Sequence, residues 1–189
     1  MPAHPPTPAG LRVLLLEDSE DDALLIVRTL RGQFGDVRST RVESVTALRE
    51  ALAGGSWDAA ISDHTMPRLQ LDRAAATLRE SGFIGPLILC TGAPGILEDV
   101  NDPGSLVSYT DLGGLARLQA AGSFAAGMLP KATAIEDALR GGVRRVHVIS
   151  YKVPDSLLAE IFTNAGTGTL VVEDINALTP AEQQAGDGL

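Results

Sequence analysis

The chain has 189 residues, 44% hydrophobic, 21% charged and 4% aromatic, a balance that excludes general disorder and suits one α/β domain or two small ones. Its 15 basic against 24 acidic residues give a net charge of -9, so neither nucleic acid nor an anionic membrane is expected as a partner. A single cysteine, Cys90, excludes an internal disulfide, and with no signal-peptide pattern and no apolar run of membrane length the expected location is cytoplasmic.

Residues 1–10, with four prolines, read as a disordered leader. Leu11 to Leu16 is a continuous apolar run of the kind found in buried parallel strands, and an amphipathic helix is predicted from Asp21 to Arg31. Val37 to Val42 reads as a strand, Val45 to Ala53 as a helix closed by Gly54-Gly55, and Trp57 to Ser62 as a third strand. A helix from Asp72 to Ser81 and an apolar strand from Pro86 to Cys90 follow. After Thr91 the rhythm loosens into turn chemistry at Gly92-Ala-Pro-Gly95 and Asn101-Asp-Pro-Gly104. Helices are then predicted over Leu112 to Ala121 and Ala132 to Arg140, a strand over Val143 to Ser150, a helix over Ser156 to Thr163 and a strand over Thr169 to Val172. Residues 176–189 read as a loose tail. The fold class is therefore α/β, a three-layer parallel sheet with helices on both faces and a flavodoxin-like first half.

In such a sheet the functional crevice lies at the carboxyl ends of the strands. Glu17 and Asp18 directly follow the first strand and Asp63 directly follows the third. If those strands are neighbours the carboxylates converge, and three like charges then call for a cation; Mg2+, with its preference for oxygen, is the natural one. A carboxylate beside Mg2+ can also act as a nucleophile toward a phosphoryl group, while Thr91 could hydrogen-bond a phosphoryl oxygen and a lysine could pair with it. The 15 basic residues include just two lysines, Lys131 and Lys152. Glu20, Asp21 and Asp22 read as a solvated helix start, and His64 as an exposed neighbour of Asp63.

The blocks Leu-Leu-Leu-Glu17-Asp18-Ser-Glu-Asp-Asp, Trp57-Asp-Ala-Ala-Ile-Ser-Asp63-His-Thr-Met-Pro67 and Gly85-Pro-Leu-Ile-Leu-Cys-Thr91-Gly92 together resemble the receiver domain of two-component response regulators, over about residues 11–92. That resemblance implies phosphorylation of Asp63 by a sensor histidine kinase or phosphotransfer protein. It also implies Mg2+ held by Glu17, Asp18, Asp63 and the carbonyl of Thr65, with Thr91 as a switch hydroxyl. Ala120-Ala-Gly-Ser-Phe-Ala-Ala-Gly-Met-Leu-Pro-Lys131 can be read as that family's fifth strand and lysine, although 40 residues separate Lys131 from Thr91.

A second set of blocks, Leu87-Ile-Leu-Cys-Thr-Gly-Ala-Pro-Gly-Ile-Leu-Glu-Asp, Asp102-Pro-Gly-Ser-Leu-Val, Gly127-Met-Leu-Pro-Lys131-Ala, Gly142-Val-Arg-Arg-Val-His-Val-Ile and Leu157-Leu-Ala-Glu-Ile-Phe-Thr-Asn-Ala-Gly-Thr-Gly-Thr169, resembles the C-terminal portion of acetylglutamate kinases, of the amino acid kinase family. It spans about residues 87–172 and implies an ATP-facing segment in which Lys131 stabilises the transferring phosphoryl group. Residues 1–86 contain no lysine and no glycine-rich phosphate loop, which argues against phosphorylation of acetylglutamate itself. The chain thus reads as a hybrid: residues 11–92 receiver-like, and residues 87–175 kinase-like and sharing the strand 86–90.

The leading expectation is a phosphoacceptor module of a two-component phosphorelay, with Asp63 as acceptor. The alternatives are an ATP-binding relative of acetylglutamate kinase using Lys131, and a non-catalytic scaffold carrying motif remnants.

Overall fold

A computed structural model describes residues 10–63, 66, 68–124, 127–153, 156–157, 159 and 167–177. The apolar run forms β1 (Leu11–Leu16), whose side chains alternate between two cores, Leu14 and Leu16 on one face of the sheet and Val13 and Leu15 on the other. Ser19 then caps α1 (Glu20–Phe34): its hydroxyl accepts from the Asp22 N–H at 3.2 Å, and three acidic residues occupy the positive first turn. Gly35, at φ 71°, ends the helix in a conformation that costs other residues energy. β2 (Val37–Val42) and α2 (Val45–Ala53) follow, the latter capped by Ser44 and closed by the Gly54 N–H donating to the Glu50 carbonyl. Next come β3 (Ala59–Ser62), α3 (Leu71–Glu80) and β4 (Leu87–Thr91). Then β5 (Tyr109–Asp111), α4 (Leu112–Ala120), α5 (Leu129–Arg140), β6 (Arg145–Ser150) and β7 (Thr169–Val172) complete the order, with a short 3-10 turn at Ile175–Ala177.

The seven strands form one sheet in the order β2-β1-β3-β4-β6-β7-β5. From β2 to β6 every pairing is parallel; β7 runs antiparallel to β6 and pairs parallel with β5. The sheet is therefore mixed at one side, where a parallel one was expected. One core packs α2, α3 and α5 against the sheet, with Leu48, Leu78, Ile135 and Leu139 fully buried; the other packs α1 through Ala23, Val27 and Leu30. This is the expected three-layer α/β architecture.

Three differences from the sequence reading have physical causes. The third strand starts at Ala59, two residues late, because the Trp57 indole turns back to donate to the Ala51 carbonyl at 3.0 Å while the Asp58 carboxylate accepts from the Arg12 N–H at 2.8 Å. β5 has no counterpart among the elements predicted from the sequence; three residues are too few to show a period, and its pairing with β7 lies some sixty residues away. No strand forms between Ala120 and Lys131 among the described residues; Gly122 at φ 76° makes a turn and Lys131 lies in the first turn of α5. The helix expected over Ser156 to Thr163 is described only at Ser156, Leu157 and Ala159, and the leader and most of the tail fall outside the described residues. Among those residues no helix is long and apolar enough to cross a membrane.

Two glycines give opposite expectations. A Cβ on Gly168, at the entry to β7, would collide with the backbone carbonyl of Val148 in β6, which no side-chain rotation can relieve. Gly168→Ala is expected to lower stability by about 1–3 kcal/mol. Gly32 lies within α1 with open space around it, so Gly32→Ala should raise stability by roughly 0.5–1 kcal/mol. Urea unfolding midpoints of the two variants against the parent check both signs.

Candidate functional site

β1 and β3 are direct neighbours, in register from Val13 with Ala59 to Leu16 with Ser62, so the residues that follow them emerge side by side at the carboxyl edge. The Asp63 N–H donates to the Leu16 carbonyl at 3.0 Å and the Glu17 N–H to the Val42 carbonyl at 3.2 Å, which continues the sheet through the acidic residues themselves. One carboxylate oxygen from each of Glu17, Asp18 and Asp63 lies within 4.8 Å of the others. Such a set of oxygens fits a hard divalent cation. Thr65 and His64 lie outside the described residues, so the carbonyl expected as a fourth ligand is not placed.

The three carboxylates differ in surroundings. Glu17 is 5% exposed, and burial pushes its carboxyl above the usual carboxylate range. The Ser19 N–H, donating at 2.9 Å, pulls the other way, while the charges of Asp63, Asp22 and Asp18 push it further up. Asp18 is exposed and Asp63 half-buried. Beneath them Cys90 is pushed up to about 12 by burial and by the Asp63 and Glu17 charges, which makes it an inert apolar floor.

Sequence reasoning missed Arg41. Its guanidinium donates to the carbonyls of Glu17 at 3.1 Å and Asp18 at 3.3 Å, holding the backbone of the acidic turn, and it pairs with Glu43 at 3.5 Å. A cation near the carboxyl end of the strand beside β1 is the one signal that could have pointed to it, since Arg41 is in register with Leu15.

Thr91 ends β4, buried, with its hydroxyl donating to the Ala93 carbonyl at 2.9 Å and accepting from the Ala93 N–H at 3.3 Å. That hydroxyl is thereby engaged by the turn that leaves the strand. α5 leads into a strand parallel to β4, so its amino end lies at the same edge as the carboxylates. Burial lowers the Lys131 ammonium from its usual value and the Asp63 charge raises it, so the two groups act on each other. No side chain caps the N-terminus of α5, where Pro130 occupies a position that needs no hydrogen bond.

Beside this cluster lies a cavity of about 540 Å³ whose lining includes Glu17, Asp22 and Asp63. Leu25, Ile26 and Thr29 line its α1 side. Ile149, Tyr151, Val153 and Leu157, from the end of β6 onward, line the other. The sequence reading contained none of these wall residues, because they come from separate elements without a shared motif.

No family model matches the chain. It is 39% identical over 158 residues to the acetylglutamate kinase of Myxococcus xanthus, covering 79% of this chain and 49% of that enzyme. Against the acetylglutamate kinase of Moorella thermoacetica it is 44% identical over 104 residues, covering 55% of this chain and 35% of that one. The chain thus spans about half or less of the length of these relatives. In fold it is similar to an N-acetylglutamate synthase from Neisseria gonorrhoeae, with a TM-score of 0.50 over 78% of this chain and 31% of that one at 22% identity. A receiver domain of a sensor histidine kinase from Pseudomonas aeruginosa superposes on 44% of this chain and 69% of its own, at 29% identity and a TM-score of 0.39, too partial a match to carry an argument. The similarity to metabolic kinases overturns the expectation of a phosphorelay module: the response-regulator reading, Asp63 as phosphoacceptor and a sensor histidine kinase or phosphotransfer protein as partner are all withdrawn. Acids at strand ends misled because the same placement follows from any parallel sheet whose strands exit toward one crevice.

Proposed function

We propose that this chain binds the phosphate groups of ATP together with Mg2+, as a relative of the acetylglutamate kinases in which Lys131 is the phosphate-pairing cation. The observation that carries the reading is the 39% identity to an acetylglutamate kinase over 158 residues. Geometry supports it. Lys131 sits in the first turn of a helix whose leading N–H groups have no side-chain cap, a place suited to an anion by both charge and hydrogen bonding. Burial lowers its ammonium from the usual value and the Asp63 charge pulls it part of the way back, which sets the lysine against the carboxylate edge.

Glu17, Asp18 and Asp63 are the residues that would hold Mg2+, and the ion would supply charge neutralisation that lets a polyphosphate approach three carboxylates. Arg41 keeps the turn carrying Glu17 and Asp18 in place through their backbone carbonyls. Residues 11–92 and 87–175 are read as a receiver-like and a kinase-like stretch that share the strand 86–90. The first 86 residues contain no lysine and no glycine-rich phosphate loop, so the reading is one of nucleotide binding and does not extend to turnover of acetylglutamate.

Titration calorimetry of the full chain with ATP in Mg2+ tests this. The parent should bind, and Lys131→Ala should weaken binding by roughly tenfold to a hundredfold, as expected for loss of a charge-assisted contact. Lys131→Arg should restore part of the affinity. No binding by the parent, or equal binding by Lys131→Ala, would leave the scaffold reading instead.

A further inference from the structure

We infer that two copies of this chain associate through α1, the helices antiparallel about a two-fold axis, with Leu24 and Leu25 at the centre and Asp21 of each copy against Arg28 of the other. The inference is independent of the nucleotide reading.

α1 buries one side and leaves the other open. Ala23, Val27 and Leu30 face the sheet, four and three residues apart. The same spacing carries Asp21, Leu25 and Arg28 along the opposite side, with Leu24 and Arg31 beside them, and all five are exposed. Leu24 is 60% exposed and Leu25 59%, the highest values among the large hydrophobic side chains described. The apolar surface continues past the helix, because Leu25 shares the neighbouring cavity with Tyr151 and Val153, which are also exposed. A continuous apolar patch edged by charges has the make-up of a contact surface.

The charges select the occupant. The first turn of α1 holds Glu20, Asp21 and Asp22, and its second half holds Arg28 and Arg31, so the reversed helix is its own electrostatic complement. A copy laid parallel sets aspartate on aspartate and arginine on arginine; a copy laid antiparallel exchanges them. The midpoint between Asp21 and Arg28 falls between Leu24 and Leu25, so a single two-fold axis forms both ion pairs and brings the leucines together. Reversed helices also place each acidic, positive-dipole end beside the other's basic end. Among the described residues neither Asp21 nor Arg28 is in an ion pair within the chain, so neither gives one up on association.

Size sets the strength. α1 has 15 residues, about 22 Å of helix, and one helix pair buries less than the roughly 1,200 Å² of a stable complex. The dimer is therefore weak and reversible, formed as the concentration rises.

Sedimentation equilibrium of the full chain, from about 5 µM to about 1 mM at roughly 0.15 M salt, tests this. The parent should pass from monomer to dimer within that range. Asp21→Arg and Arg28→Asp each replace two attractions by two repulsions and should weaken self-association by about tenfold or more. Mixed in equal amounts, these two variants should form a heterodimer within about threefold of the parental affinity, since the introduced arginine meets the introduced aspartate. The double variant, Asp21→Arg with Arg28→Asp, should regain self-association to the same extent. Leu25→Ala should weaken it by about tenfold through lost burial on both copies. Far-ultraviolet circular dichroism should match the parent throughout, because every replaced side chain is exposed. A parent that stays monomeric to about 1 mM would overturn self-association and leave this face to a different partner. Association that survives Leu25→Ala and both single charge variants would place the contact elsewhere, and a mixture that stays monomeric would overturn the antiparallel pairing.

Discussion

Ile135→Ala is expected to cost about 3–4 kcal/mol and to lower the thermal midpoint by roughly 10 °C, with Trp57 fluorescence and far-ultraviolet circular dichroism shifting together. Ile135 is fully buried on α5, in the second half of the chain. It belongs to the same core as Leu14, Leu48 and Leu78 from the first half, and the single tryptophan, Trp57, packs against that core. Truncation to alanine leaves a cavity lined by α3 and sheet residues that cannot collapse, because β4 is fixed between β3 and β6. With both halves of the chain in one core, unfolding as one unit is expected, so a lesion delivered in α5 should be read out at Trp57. Separate transitions, with Trp57 unmoved by the substitution, would show that the halves fold independently.

The βα alternation up to β4 was legible because the elements there carry local signals: an apolar run, a helical period, a glycine stop. The placement of Glu17 and Asp63 together was legible for the same reason, since a parallel sheet returns every strand to the same edge. Beyond β4 the signals become non-local. Nothing in Thr169 to Val172 distinguishes a strand that runs with β6 from one that runs against it, and the antiparallel choice depends on residues far away. Tyr109 to Asp111 becomes a strand through its pairing with β7. Asp111 also caps α4, accepting from the Gly114 N–H at 2.7 Å, and that was the part of this stretch open to local reading.

Function was harder to read than fold. Carboxylates at strand ends are a property of position in the sheet, and a phosphoacceptor pocket and a cation site for a nucleotide need the same oxygens. Lys131 was found through the two resemblances and the scarcity of lysine rather than by geometry. Its position depends on α5 occupying the crossover before β6, which a strand reading of Ala120 to Lys131 would have forbidden. The cavity walls, contributed by α1 and by residues after β6, required the assembled sheet.

In the absence of divalent ions, Glu17→Gln is expected to raise the thermal midpoint, and in the parent Mg2+ should do so by binding. The Glu17 carboxylate is buried among the charges of Asp63, Asp22 and Asp18, so its ionised form opposes folding at neutral pH. Glutamine keeps an oxygen for the Ser19 N–H and removes the charge, so the midpoint should rise. Mg2+ acts on the same imbalance from outside: at ten times its dissociation constant it stabilises by about 1.4 kcal/mol, or a rise of roughly 3–5 °C for a chain of this size. Asp63→Asn removes one oxygen anion of the three that lie within 4.8 Å and should abolish most of that rise. Glu17→Gln should also abolish it, while starting from a higher midpoint, so the two variants separate repulsion from coordination. Thermal melts in EDTA and across a Mg2+ series measure all of this in one experiment. A parent midpoint insensitive to Mg2+, or an equal rise in Asp63→Asn, would mean that the carboxylates converge without holding a cation, and the phosphate site would then have to rely on Lys131 and the open N-terminus of α5 alone.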